Sequence, residues 1–170
     1  MLESNPAVEM PETNLALVSL NINKMTTKDF TTTILVDKTP NEIFNAIINV
    51  RGWWQGTIEG NTDKLNDEFI YRMEEFHFSK QKLVELIPDE KVVWLVTESQ
   101  LNFIKDKNEW TGTKIIFEIS EKNNKTQLRF THLGLVNEIE CYVACSNAWS
   151  QLIQKSLFSL ITSGKGEKVF

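Results

Sequence analysis

Residues 135–163 read LVNEIECYVACSNAWSQLIQKSLFSLITS. Neither Pro nor Gly interrupts them, and Ile139, Tyr142, Ser146, Trp149, Ile153, Ser156 and Leu160 recur at three- and four-residue steps. That is the period of one helical face, so the stretch predicts a single long C-terminal helix. At 1.5 Å per residue, roughly 26 helical residues extend about 39 Å, enough to cross a sheet. The inner face is mixed, because Tyr142, Ser146, Trp149 and Ser156 interrupt the aliphatic residues. Such a face suits a helix that is both core and one wall of a pocket.

The chain ahead of this helix predicts strands. Residues 29–37, DFTTTILVD, are rich in Thr, Ile and Val. Thr39 then offers an N-cap, Pro40 the first helical position and Glu42 the third. Ile43, Phe44, Ile47 and Ile48 give that helix an apolar face; it stops near Arg51-Gly52, and Trp53-Trp54 follow in a turn or half-helix. Residues 56–67 are polar and predict a loop. Strands follow at 68–73, 76–87 and 91–98, while 100–110, charged in its middle, fits a loop or hairpin. The clearest hairpin spans 113–132 around Asn123-Asn124, with Ile115, Phe117, Leu128, Phe130 and His132 on inward positions. A twisted antiparallel sheet with one apolar face needs a cover, and the long helix supplies it. Where curved sheet and straight helix part, a small molecule fits.

Length and charge narrow the field. With 170 residues the chain is long enough for one sizeable core and short for two. A net charge of −5 argues against a nucleic-acid footprint or a binder of anionic membranes. No apolar run approaches the roughly 18 residues of a membrane span. The first basic residue is Lys24, so the start lacks the basic opening of a secretory signal, and a cytoplasmic protein is expected. Residues 1–26 lack periodicity and contain Pro6 and Pro11; a flexible extension is expected, with Met25 a candidate true start. A single domain is expected over 27–166, with 167–170 as a tail. Cys141 and Cys145 sit at a spacing that disfavours a disulfide and reads as buried free thiols.

Several segments together resemble the START-like (SRPBCC, helix-grip) superfamily, and within it the family of the activator of the 90-kDa heat-shock protein ATPase. They are ILVDKTPNEIFNAI at 34–47, Trp53-Trp54, LVELIPDEKVVWLV at 83–96, TQLRFTHLGL at 126–135 and CSNAWSQLIQKSLFSLITSGKG at 145–166. Where the family commonly has Gly before the central Trp, this chain has Ala148, a better helix former. The resemblance implies an α+β helix-grip fold: a curved, seven-stranded antiparallel sheet wrapped around the C-terminal helix, with two short helices after the first strand. It also implies an apolar cavity between sheet and helix. Relatives bind lipids, steroids, polyketides or plant hormones; a few are cyclases or hydrolases, and one branch assists a chaperone. They share no catalytic motif, so the fold alone assigns no reaction.

Candidate ligand-contacting residues follow from strand and helix parity. His132 lies on the cavity face of its strand, where it either meets a ligand or serves as a hydrogen-bonded structural residue near the helix start. Tyr142, Ser146 and Trp149 lie on the inner helix stripe; Tyr71, Phe78, Trp94 and Phe117 are inward by alternation, lining either a cavity or a filled core. Trp53 and Trp54 fall where the first helix meets the sheet edge, one at a cavity mouth and the other against the terminal helix. No CxxC, HExxH or GxSxG pattern occurs, so neither metal, cofactor nor catalytic residue is assigned. The leading expectation is binding of a small hydrophobic ligand by a monomer or homodimer. A chaperone-associated partner module comes second, and a cyclase or hydrolase using His132 with Tyr71 or Tyr142 third.

Overall fold

Seven strands form one antiparallel sheet in the order β1-β7-β6-β5-β4-β3-β2. In this computed structural model the structure describes residues 27–170; the N-terminal extension and the candidate start at Met25 lie outside them. The strands are β1 (Phe30–Val36), β2 (Thr57–Gly60), β3 (Glu68–Met73), β4 (His77–Ile87), β5 (Lys91–Leu101), β6 (Lys114–Lys122) and β7 (Lys125–Leu133). The first strand pairs with the last, Phe30 opposite His132 and Ile34 opposite Leu128. The concave face therefore carries residues from both ends of the described chain.

Between β1 and β2 lie α1 (Pro40–Ile48) and a 3₁₀ turn at Val50–Gly52. The start of α1 is locally encoded. The Thr39 hydroxyl accepts from Glu42 N at 3.2 Å, and Thr39 N donates to Glu42 Oε2 at 2.9 Å, a reciprocal capping box. Ile43, Phe44, Ala46 and Ile47 of α1 are buried.

The C-terminal helix differs from its periodicity in two ways. It begins at Tyr142, not at residue 135; residues 137–141 form turns. The cause is Glu109, in the loop between β5 and β6, whose carboxylate accepts from Glu140 N at 2.7 Å and Cys141 N at 2.8 Å. A borrowed carboxylate thus caps the helix where its positive dipole end lies. Second, α2 (Tyr142–Gln151) runs into a π-helical turn at Leu152–Leu157 before α3 (Phe158–Ser163) resumes. The widened turn holds one extra residue, so the buried stripe passes from Trp149 through Ile153 and Ser156 to Ile161, leaving Leu160 half-buried.

Two strand expectations also change. The segment 56–67 contains β2, a short edge strand whose residues are half-buried or exposed and so show no apolar alternation. In β4 the inward positions are His77, Ser79, Gln81 and Leu83, so Phe78 points outward, under the Arg72 guanidinium at 4.6 Å. Parity was masked because the inner positions hold polar side chains and the outer one an aromatic. The core centres on Trp53, Trp94, Trp149, Phe69, Phe117 and Phe130, each nearly free of solvent.

Candidate functional site

A pocket of about 300 Å³ opens between α2 and the β3–β4 end of the sheet. Its space comes from small residues on the helix, Ala144, Cys145 and Ala148, facing large ones opposite. Trp54 stacks on Tyr71 with ring centres 4.3 Å apart, and Trp149 leans against Trp54 at 5.0 Å. On the other side Trp110 lies nearly parallel to Trp149 at 5.8 Å. At the rim, Phe76, Phe103 and Phe170 are 57%, 43% and 46% exposed, an apolar collar open to water. Among the described residues, no charged side chain lines the pocket. Burial raises the Tyr71 hydroxyl well above its ordinary pKa, so it stays protonated.

One residue of the rim, Phe170, arrives from the C-terminal tail. Gln55 Nε2 donates to the Glu167 carbonyl at 2.6 Å, and Phe170 N donates to Gln55 Oε1 at 3.2 Å. That double contact lays the tail along the sheet edge and sets Phe170 at the pocket mouth.

His132 has both ring nitrogens engaged. Trp149 Nε1 donates to His132 Nδ1 at 3.0 Å. The Thr113 hydroxyl donates to the Trp110 carbonyl at 2.6 Å, so its oxygen accepts from His132 Nε2, 2.8 Å away. The ring is therefore neutral with its proton on Nε2. Burial, reinforced by nearby His77, pulls its pKa down to about 3. A second proton would sit on Nδ1 facing the indole N–H, donor against donor.

His77 is placed differently. Its Nε2 lies 3.1 Å from Ser79 Oγ, its ring meets Tyr71 and Trp110 edge-on at 4.9 and 4.6 Å, and it lines the pocket. Burial pulls its pKa down to about 3. Parity points to it once β4 starts at residue 77, but in the sequence the neighbouring Phe78 is the more conspicuous candidate.

Of the residues singled out from sequence, Trp54, Tyr71 and Trp149 come together on the pocket walls. Trp53, Trp94 and Phe117 are fully buried behind them, with Trp53 and Trp54 ring centres 6.1 Å apart and Trp54 and Trp94 6.0 Å apart. His132 supports Trp149 from beneath and is not on the wall. Tyr142 is half-buried and faces a separate groove beside Lys28 and Phe30. Ser146 turns its hydroxyl to the Val143 carbonyl at 3.2 Å. Phe78 lies on the other face of the sheet. Tyr142 and Ser146 are displaced because the helix starts late and presents Cys141, Cys145 and Trp149 inward. Cys141 and Cys145 are free thiols; the hydrogen bond from one to the other, then burial, raises the Cys141 pKa.

A seven-stranded sheet gripping a C-terminal helix defines a helix-grip, START-like protein. More narrowly, residues 37–161 match the family described as "Activator of Hsp90 ATPase homolog 1-like protein", and the chain belongs to that family. Among curated proteins, none matches the chain. Solved structures share the fold. The solution structure of the Aha1 dimer from Colwellia psychrerythraea is 23% identical with a TM-score of 0.65, covering 82% of this chain and 99% of that one. Protein SSP2350 from Staphylococcus saprophyticus is 13% identical with a TM-score of 0.62, covering 84% and 98%. CalU16 from Micromonospora echinospora is 12% identical with a TM-score of 0.56, covering 78% and 74%.

Proposed function

We propose that the protein binds a small, uncharged hydrophobic molecule, of lipid, polyketide or aromatic-metabolite type, in the pocket beneath α2. The observation that carries this reading is the pocket itself: about 300 Å³, aromatic-walled, without a charged side chain among its described lining residues, and open at an apolar rim. Pockets of this size and lining are the usual form of small-molecule sites. The lining favours flat or ring-bearing ligands, whose faces stack on Trp54, Trp110 and Trp149. No helix among the described residues is long and apolar enough to cross a membrane, and a cytoplasmic protein fits this reading.

Thermal shift and native mass spectrometry of the full chain against neutral lipids, polyketides and aromatic metabolites test it. At least one class is expected to raise the melting temperature, by the equivalent of about 2.7 kcal/mol at a hundredfold excess over Kd. Ala148→Phe, which fills the space from the helix side, is expected to abolish the shift. No shift from any class, or an unchanged shift in Ala148→Phe, sinks the reading.

A second reading, a partner-binding module acting on a chaperone ATPase, draws on the family's description and on the exposed Phe76, Phe103 and Phe170. Co-purification with the 90-kDa chaperone of the same cell is its test, and its loss in Phe103→Ser is the expected outcome. A cyclase or hydrolase reading through His132 draws no support, since both nitrogens of that ring are taken.

A further inference from the structure

We propose that His77 is the specificity-determining residue of the pocket, offering a bare ring nitrogen that selects a flat, neutral ligand bearing a hydrogen-bond donor, such as a phenol or enol. The inference rests on the pocket-binding reading above and adds the chemistry of the ligand's polar end.

The direction of a short buried chain carries it. Gln81, Ser79 and His77 are consecutive inward positions of β4, and Gln81 and Ser79 are fully buried. One end of the Gln81 amide lies 3.2 Å from the Ser79 carbonyl and 3.2 Å from the Phe69 carbonyl. Carbonyl oxygens only accept, so that end is the amide nitrogen, and Gln81 Oε1 faces the Ser79 hydroxyl. An amide oxygen also only accepts, so Ser79 spends its one proton there. What Ser79 Oγ has left for His77 Nε2, 3.1 Å away, is a lone pair. The His77 proton therefore resides on Nε2, and Nδ1 is an acceptor with no protein partner among the described residues.

The surroundings hold this state. His77 is neutral at ordinary pH, because burial keeps its pKa near 3. Tyr71 and Trp110 contact the ring edge-on from the pocket side, which limits its rotation. Tyr71 supplies a hydroxyl that donates or accepts equally well, so it discriminates little. His77 discriminates sharply: a ligand donor meets a waiting lone pair, while an ether or carboxylate oxygen meets acceptor against acceptor. A carboxylate is further penalised, since among the described residues no cation lines the pocket to meet it.

The test is a ligand series on the full wild-type chain, read by quenching of tryptophan fluorescence from the pocket indoles. The probes are 1-naphthol, 1-methoxynaphthalene and 1-naphthoate. Expected is binding of 1-naphthol about tenfold tighter than 1-methoxynaphthalene, with 1-naphthoate weakest. In His77→Phe the first two are expected to bind equally. In Ser79→Ala, where either tautomer is free to form, the preference is expected to shrink while 1-naphthol still binds. Equal or tighter binding of 1-methoxynaphthalene or 1-naphthoate by the wild type overturns the role of His77 and leaves the pocket reading standing. Failure of all three to bind overturns this inference; the pocket reading falls with it only if the neutral lipids and polyketides also give no thermal shift. The wild-type series decides the matter even if a variant does not fold.

Discussion

Two histidines share one sheet face, and what separates them is how many of their nitrogens the protein answers. His132 has two partners, Trp149 and Thr113; His77 has one, Ser79. Both are held near pKa 3, against about 6.5 in an unfolded chain. The unfolded state then binds protons that the folded state refuses, so stability is full above about pH 6.5 and falls as pH drops toward 3. Urea unfolding at pH 7.5 and pH 5.0 is expected to show the loss, with a limiting slope of about 1.4 kcal/mol per pH unit for each histidine. A flat profile over that window contradicts the buried neutral rings. Glu42, lowered chiefly by the Thr39 backbone N–H, and Glu68, lowered by Lys80, add to the loss only at the acid end of this window, as pH falls into the ordinary carboxylate range. At this scale the sequence is only partly legible. His132, between Phe130 and Gly134 in a clean alternation, could be placed inward by parity alone. His77 could not, because the next inward residues are Ser79 and Gln81, and only their mutual hydrogen bonds make that polar row tolerable inside.

Secondary-structure boundaries follow the same division between local and distant causes. The start of α1 was legible because Thr39, Pro40 and Glu42 supply the whole cap within four residues. The start of α2 was not, because its cap comes from Glu109, which is 31 and 32 residues from the N–H groups it accepts. Periodicity alone ran the helix back to Leu135 for want of that information. Glu109→Ala is expected to cost about 1–2 kcal/mol in denaturant unfolding with an unchanged m-value. Amide exchange is expected to accelerate first at residues 140–143. If exchange there is unaltered, the helix start does not depend on Glu109. Thr39→Ala is expected to cost about 1 kcal/mol and to leave α2 untouched. The short strand β2 stayed illegible for a different reason: an edge strand of four mostly exposed residues needs no apolar pattern to pair with β3.

Over the whole molecule, the sheet order brings the first strand against the last, while the pocket forms toward the opposite end of the sheet, between α2 and the β3–β4 strands. The helix-grip architecture was legible because it depends on element order and coarse hydrophobicity, which parity errors do not disturb. The pocket walls were legible only where residues such as Trp149 and Tyr71 sit on regular elements; Trp110 and Phe103, on the β5–β6 loop, and Phe170, on the tail, offered no periodicity to read. Gln55 ties that tail down with two hydrogen bonds. Gln55→Ala is therefore expected to raise the on-rate for any pocket ligand in stopped-flow fluorescence while changing unfolding free energy little. An unchanged on-rate shows that Phe170 does not obstruct entry.

The π-turn at Leu152–Leu157 gives the helix a spare residue, and with it a tolerance to change in chain length. Removing one exposed residue there, Lys155, would renumber Leu157 and Ile161 to 156 and 160, the positions that a regular α-helix aligns with Trp149 and Ile153. The deletion variant is expected to fold with an ordinary α-helix throughout. Deleting exposed Asn147 from α2 instead turns everything before it by about 100° against the sheet and is expected to unfold the protein. Circular dichroism melts of the two single-residue deletions would separate a helix with slack from one without.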